Sequence, residues 1–288
     1  MTMKTFNGER FAVVIPTYGR PDRVFTHATL RKSGYTGDIY LLCDDSDKAL
    51  PEYQKLYGDK VFVFSKDDVI GTFDRMDNFD RRNVVVYARN AIYEASKAVG
   101  LRYIAVLDDD YTSLRYRVNS RYEYVSAGRM KNADAVFAAF MDFLVTTKCS
   151  TICFAQGGDF IGGKNNDRLA VKKTPLRKMM NLYFFDVERP VEFMGTINED
   201  LTASVAEGIV GRVVLTTPLV TIEQLATQSN AGGLTEIYLD LGTYVKSFYS
   251  VMYAPSAVKV SSMGSTSKRL HHSVEWKYAA AKVIRETV

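Results

Sequence analysis

The run Ile104-Ala105-Val106-Leu107-Asp108-Asp109-Asp110-Tyr111 constrains this chain more than any other stretch. An apolar segment of strand length stops abruptly at consecutive carboxylates. A parallel strand buried on both faces reads as such a continuous apolar run. Open α/β sheets place their ligand sites just beyond the carboxyl ends of these strands. Adjacent acids repel one another, and a divalent cation removes that cost. Hard oxygen donors suit Mg²⁺ or Mn²⁺. In extended backbone Asp108 and Asp110 project to the same side. They can share one metal, or divide a metal and a ribose between them. A charged turn leading into the next segment explains the triplet equally well, so the surrounding chain has to decide.

That chain supplies a sheet. Residues 11–15, 39–43 and 61–64 are further β-rich apolar runs, and 103–107 is the strand before the acids. A helix is expected from about 22 to 32. A second is expected over 84–99, where Val85, Ala88, Ile92, Ala95 and Val99 recur at helical spacing. The polar stretch 66–82 reads as a long surface loop. Strands alternating with helices predict an α/β fold with a mostly parallel, doubly wound sheet. After residue 110 the pattern loosens. A helix over 133–145, strands at 150–154 and 213–216, a return to the sheet at 183–187 and helices at about 200–209 and 236–249 are expected. A last helix contains Trp276. No internal repeat or linker divides the chain, so 1–288 reads as one domain with C-terminal elaborations.

The formal charge of +4 and pI near 8.8 permit a polyanionic partner without demanding one. Positive charge is clustered, however. Segment 111–131 carries Arg115, Arg117, Arg121, Arg129 and Lys131 against the single acid Glu123, interleaved with Tyr111, Tyr116, Tyr122 and Tyr124. Segment 164–178 carries Lys164, Arg168, Lys172, Lys173, Arg177 and Lys178. Both are candidate phosphate-contacting, base-stacking surfaces; a solvated face is the simpler alternative. Cys43, Cys149 and Cys153 have no zinc-site spacing and are odd in number, which suits a reduced, cytosolic chain. No signal peptide or membrane-length apolar run is expected.

Several residues can carry chemistry. Pro16, Thr17, Tyr18 and Arg20 form the turn after the first strand, where backbone can cradle a nucleotide and Arg20 can meet a phosphate. Asp44 and Asp45 end the second strand, placed to accept hydrogen bonds from a ribose or base. Arg89 can pair with a diphosphate or buttress the acids. Glu199 and Asp200 stand at a helix start, where one carboxylate can act as general base and either can simply favour the helix dipole. His271 and His272 offer an imidazole to an oxygen-rich metal site. Walker, dinucleotide-fingerprint and nucleophile-elbow motifs are missing.

Taken in order, Val14-Ile15-Pro16-Thr17-Tyr18-Gly19-Arg20, Ala88-Arg89-Asn90, Leu107-Asp108-Asp109-Asp110 and Glu199-Asp200 resemble the GT-A class of nucleotide-sugar glycosyltransferases. More narrowly, residues 82–90, 107–111 and Asn198-Glu199-Asp200-Leu201-Thr202, with Gly232-Gly233 and His271-His272 through Trp276, look like the TET/JBP-associated glycosyltransferases of bacteriophages. The resemblance spans about residues 10–286. It implies a GT-A-like, Rossmann-like mixed sheet, with 10–110 as the nucleotide-sugar half and 111–288 as the acceptor half. It implies a UDP-sugar donor bound with Mn²⁺ or Mg²⁺. Asp108 would meet ribose or metal, Asp109 would stand beside the donor, and Asp110 and a histidine would hold the metal. Arg89 and the Thr17 loop would contact the diphosphate. Asp200 would be the base of an inverting transfer, with Glu199 next in line. The acceptor implied is a 5-hydroxymethylpyrimidine, hydroxymethylcytosine above all, in phage DNA within the host cytoplasm. A GT-A enzyme acting on a glycan, lipid or protein is the nearest alternative. A non-catalytic DNA-binding module and a nucleotidyltransferase stand further off.

Overall fold

The computed structural model describes residues 4–79, 81–121, 123–157, 176–225, 242, 244–263 and 268–282. Four apolar runs become neighbouring parallel strands. They are β2 (Glu9–Pro16), β3 (Asp38–Asp44), β4 (Val61–Phe64) and β5 (Tyr103–Leu107), after a short β1 (Thr5–Phe6) that pairs antiparallel with β2. Helices α1 (Phe25–Lys32), α2 (Leu50–Tyr57), the single-turn α3 (Lys66–Val69) and α4 (Val86–Ala98) connect them. Both faces of these strands are covered. Phe11, Val13 and Ile15 pack with Leu30 of α1 and Tyr53 of α2, while Ala12 and Val14 pack with Ile92 of α4. Double coverage is why these strands read as unbroken apolar runs.

Among the described residues nine strands form the sheet, in the order β4-β3-β2-β5-β8-β7-β9-β6 with β1 to the side. Here β6 is Tyr111–Tyr116, β7 Thr151–Gln156, β8 Leu182–Asp186 and β9 Val214–Gln224. The second half departs from the doubly wound expectation. β8 is antiparallel to both β5 and β7, and β6 is antiparallel to β9, so only β7 and β9 pair in parallel there. Geometry explains the direction of β6. Only Asp108–Asp110 joins β5 to β6, far too short for a parallel crossover.

The same short link bends the sheet. β6 lies four strand spacings from β5, or ~19 Å in a flat sheet, yet the connection reaches at most ~14 Å. The sheet therefore curls until β6 and β9 close behind the acidic triplet, where the Leu225 N–H donates to the Asp110 carbonyl at 3.3 Å. Helix α5 (Ala133–Thr147) buries Ala133, Phe137, Met141 and Leu144 against one face. Helix α6 (Glu199–Ile209) covers part of the other through Ala203.

The C-terminal elaborations pack on α6 as a small satellite core. α7 (Val245–Tyr253), the hairpin β10 (Val258–Met263) and β11 (Arg269–Val274), and α8 (Trp276–Ala279) bring Ala254, Ala257, Val258 and Ala279 against Leu201 and Val205. The expected helix at 236–249 is represented by α7, which starts later and runs past it; 236–241 lies outside the described residues, as does Gly232-Gly233.

Stretch 66–82 is not a free surface loop. Lys66 is buried and ion-paired with Asp44. Asp77 accepts from Thr196 Oγ1 at 2.5 Å and Tyr249 Oη at 2.6 Å, and Arg81 donates to Tyr249 Oη at 2.8 Å. The stretch is a strap tied to the residues before α6 and to α7. No helix among the described residues is long and apolar enough to cross a membrane. Cys43, Cys149 and Cys153 are buried free thiols.

Candidate active site

Strand order reverses at β2: the chain steps outward through β3 and β4, then returns to place β5 on the other side. A crevice at such a switch point is where open α/β sheets bind ligands. Its walls are the turn after β2 and the triplet after β5.

The turn is fastened from beneath. The Thr17 N–H donates to the Leu42 carbonyl at 3.1 Å, the Gly19 N–H to Asp47 Oδ2 at 2.7 Å and the Arg20 N–H to Tyr53 Oη at 3.0 Å. Gly19 adopts φ 68°, a left-handed conformation that glycine enters without steric cost. Pro16 and Thr17 are buried, while the Tyr18 ring is exposed, 4.9 Å from the Lys66 ammonium. Of the two acids after β3, Asp44 is turned inward to Lys66 and Ser46, and only Asp45 is exposed. Lys66, which sequence reasoning placed in a loop, carries no local signal for this role.

The three acids after β5 separate. Thr26 of α1 pins their backbone: its hydroxyl donates to the Asp108 carbonyl at 2.5 Å and accepts from the Tyr111 N–H at 2.9 Å. The Asp109 side chain turns into the protein and accepts from Thr17 Oγ1 and Arg20 Nε, each at 2.7 Å. It clamps the two walls together rather than facing the crevice. Asp108 Oδ1 accepts from Arg89 Nη2 at 2.5 Å, and its other oxygen accepts from Tyr111 Oη at 3.3 Å. Arg89 is buried in α4 and stacks over Tyr183, 5.0 Å from the ring centre, so it is a buttress for Asp108. Asp110 is half-buried, and its carboxyl is pushed up to about 6 by burial and by the charges of Asp108 and Asp109.

The second acidic pair begins α6. Asn198, at φ 62°, turns the chain into the helix, and its side chain donates to Ser250 Oγ at 2.8 Å. Glu199 is buried, and its carboxyl is pushed up to about 7 by burial and the charge of Asp200; the guanidinium of Arg89 opposes this. Burial would also raise Asp200, but its ion pair with Lys178 and the Leu201 N–H at 2.7 Å hold it below the ordinary carboxylate range. Arg89 thus links the two clusters, in contact with Asp108 and in the field of Glu199.

The histidines do not join the triplet. His272 Nδ1 lies 3.4 Å from Asn198 Nδ2, and its ring is pushed down to about 4 by burial and by His271, Lys178 and Lys246. His271 Nδ1 lies 2.8 Å from the His272 carbonyl. Among the described residues no three His, Cys, Asp or Glu side chains gather as a ready-made metal site.

Of the basic residues at 111–131, Arg121, Arg129 and Lys131 are exposed, whereas Arg117 is buried and Arg115 half-buried. Tyr111 and Tyr124 are buried. Arg115 and Arg117 lean on Glu223 at 3.4 and 3.8 Å, and Arg117 Nε donates to Thr221 Oγ1 at 2.9 Å. Burying those cations against a β9 acid is a fold requirement that a one-strand reading cannot see. Of segment 164–178, residues 164–175 lie outside the described residues, and Lys178 serves Asp200.

Residues 11–233 match the family model of the TET-associated glycosyltransferases. The chain belongs to that family. It is a glycosyltransferase, and the match covers both walls of the crevice and the Glu199-Asp200 pair. No curated protein sequence matches it. In overall architecture the chain is similar to glucosyl-3-phosphoglycerate synthase from Mycobacterium tuberculosis in complex with Mg²⁺ and uridine diphosphate. That likeness has a TM-score of 0.45 and 10% identity, over 93% of this chain and 88% of the synthase. It is also similar to S. aureus TarS 1-349, with a TM-score of 0.44 and 11% identity, over 84% of this chain and 65% of the other.

Proposed function

We propose that this glycosyltransferase moves a sugar from a UDP-sugar to the hydroxyl of a 5-hydroxymethylpyrimidine in DNA, hydroxymethylcytosine first, with inversion at the anomeric carbon. What supports the reading is that Arg89, ion-paired with Asp108 beside the switch point of the sheet, also lies in the field of Glu199 and Asp200, so the two acidic clusters are neighbours. The acceptor class rests on the family. A phage protein working in the host cytoplasm is the setting that fits such an acceptor.

A divalent cation fits this donor set. Asp108 and Asp110 are hard oxygen donors, and the mutual repulsion that raises Asp110 is relieved by a nearby positive charge. With no third protein ligand gathered beside them among the described residues, Asp108 and Asp110 would hold Mg²⁺ or Mn²⁺ together with donor oxygens and water. When bound, the cation supplies charge neutralisation for the leaving diphosphate. Arg89 keeps Asp108 oriented, and Tyr18, Asp45 and the Arg20 turn line the nucleotide end. Asp200, ionised beside Lys178, takes the proton of the acceptor hydroxyl as it attacks. Glu199 lies too deep to meet an acceptor and shapes the field around Arg89. His272, neutral and next to Asn198, lines the acceptor side and is not assigned to the cation.

The test is mass spectrometry of nucleosides from hydroxymethylcytosine-containing DNA incubated with the protein, Mn²⁺ or Mg²⁺ and a panel of UDP-sugars. The expected product is a nucleoside heavier by one sugar residue. Release of UDP with unmodified DNA would send the acceptor assignment to a glycan, lipid or protein and leave the transferase standing.

A further inference from the structure

Behind the triplet, on the α1 side of β6, lies a cavity of about 190 Å³. Its lining includes Thr29, Lys32 and Ser33 from the end of α1, Ser113 of β6, and Arg129 and Lys131. Lys32, Arg129 and Lys131 are exposed, and none is ion-paired among the described residues. Ser113 is buried, and its hydroxyl has no hydrogen-bond partner among the described residues. The contrast with Arg115 and Arg117 is direct: those cations are balanced by Glu223, and these are not.

The backbone around the cavity is fixed. The Met130 N–H donates to the Leu114 carbonyl at 2.8 Å, and the Ala133 N–H to the Ser33 carbonyl at 2.9 Å. At Gly34, with φ +84°, a Cβ would stand 2.2 Å from the Lys131 carbonyl oxygen, so the segment carrying Arg129 and Lys131 is seated directly on the end of α1. Three cations held together without acids repel one another, and the fold gains nothing from that repulsion. An anion repays it. The space takes several waters and has room for a hydrated phosphate group.

We propose that this cavity is a phosphate-binding site, distinct from the donor crevice. Lys32, Arg129 and Lys131 supply charge, and Ser113, Thr29 and Ser33 line the wall. The phosphate can be free, carried on a small molecule, or part of a polynucleotide backbone; the chemistry recognised is the same. The site does not depend on glycosyl transfer.

Calorimetric titration of the full chain with inorganic phosphate, and separately with an unmodified single-stranded oligodeoxynucleotide, tests it. Arg129→Gln and Lys131→Gln each remove one cavity cation at an exposed position, and Arg121→Gln removes one exposed cation elsewhere on the same segment. Expected is a tenfold or greater loss of affinity in the two cavity variants, with no change in Arg121→Gln. For the oligonucleotide, the salt slope should fall by about 1 in each cavity variant. Phosphate binding alone assigns the site to free or small-molecule phosphate; binding of both assigns it to a strand phosphate as well. Binding of neither ligand overturns the site. So does an equal loss in Arg121→Gln. Phosphate affinity equal in all variants also overturns it; an oligonucleotide held equally by all variants while phosphate affinity falls in the cavity variants removes only the strand phosphate and leaves the DNA acceptor reading in place.

Discussion

At the end of β5 three neighbouring carboxylates are separated by direction. Asp109 turns inward to Thr17 and Arg20, Asp108 is held by Arg89, and Asp110 is left half-buried, where burial and the two neighbouring acids outweigh the charge of Arg20. At the start of α6 two neighbouring carboxylates are separated by partner. Lys178 takes Asp200, and Glu199 is buried behind it with a raised carboxyl. The first arrangement leaves negative charge unbalanced, which suits a site awaiting a cation. The second keeps one acid ionised and pushes the other toward neutrality, and acids driven apart in this way are how a site divides roles between similar groups. Neighbouring acids are therefore not equivalent acids; the groups that reach them from elsewhere in the chain set their charge.

The comparison breaks most sharply at Asp200. Asp200→Asn should lower transfer by about 10²–10⁴-fold while donor binding is unchanged, since removal of a general base costs that much. Turnover within tenfold of the native protein would place the base elsewhere. At the other cluster, Asp110→Ala should abolish the metal dependence of donor binding. Affinity should fall at least as far as the roughly 10–100-fold that loss of a supporting group costs at metal sites. Donor affinity that still responds to Mn²⁺ in that variant would remove the cation from the triplet.

Lys178 sharpens the difference between the pairs. It holds the Asp200 carboxyl down, so Lys178→Met should let that carboxyl rise. A base is active when deprotonated. The acidic limb of the pH profile of kcat/KM should then move to higher pH by about one unit, the scale on which a close opposite charge acts. An unmoved limb would mean that Lys178 shapes the site without tuning the base.

The donor half was legible because its strands are covered on both faces. Phe11, Val13 and Ile15 serve one layer and Ala12 and Val14 the other, so the runs are continuous and their ends mark the site. Pro16–Arg20 and Asp108–Asp110 follow from that alone. The acceptor half was not legible in the same way. Its pairings join distant residues: Asp77 meets Tyr249, Arg117 meets Glu223 and Lys178 meets Asp200. Periodicity reports the face a residue occupies, not which charge arrives opposite it. That is why 66–82 read as a loop and why Arg115 and Arg117 read as surface cations. β6 escaped for a related reason: Leu114 is buried directly after buried Ser113, which breaks alternation, and the register with β9 shifts between Tyr111 and Ser113.

The smallest effect expected lies at Glu199, and it concerns stability rather than rate. An unfolded glutamate ionises near its ordinary value, about 4.5, whereas the buried side chain holds its proton until about pH 7. Below about 4.5 both states are protonated and the group costs nothing. Between 4.5 and 7 the unfolded chain gives up the proton and the folded chain does not, so stability falls as pH rises; above 7 the full cost is present. Glu199→Gln keeps the shape and cannot ionise. Its melting temperature should exceed that of the native protein at pH 8 by several degrees, and the gap should close as the pH approaches 4.5. Calorimetric scans at pH 4.5, 6 and 8 decide it. A gap of the same size at every pH would mean that Glu199 differs from Asp200 in packing alone, and that Arg89, not the proton, compensates for its burial.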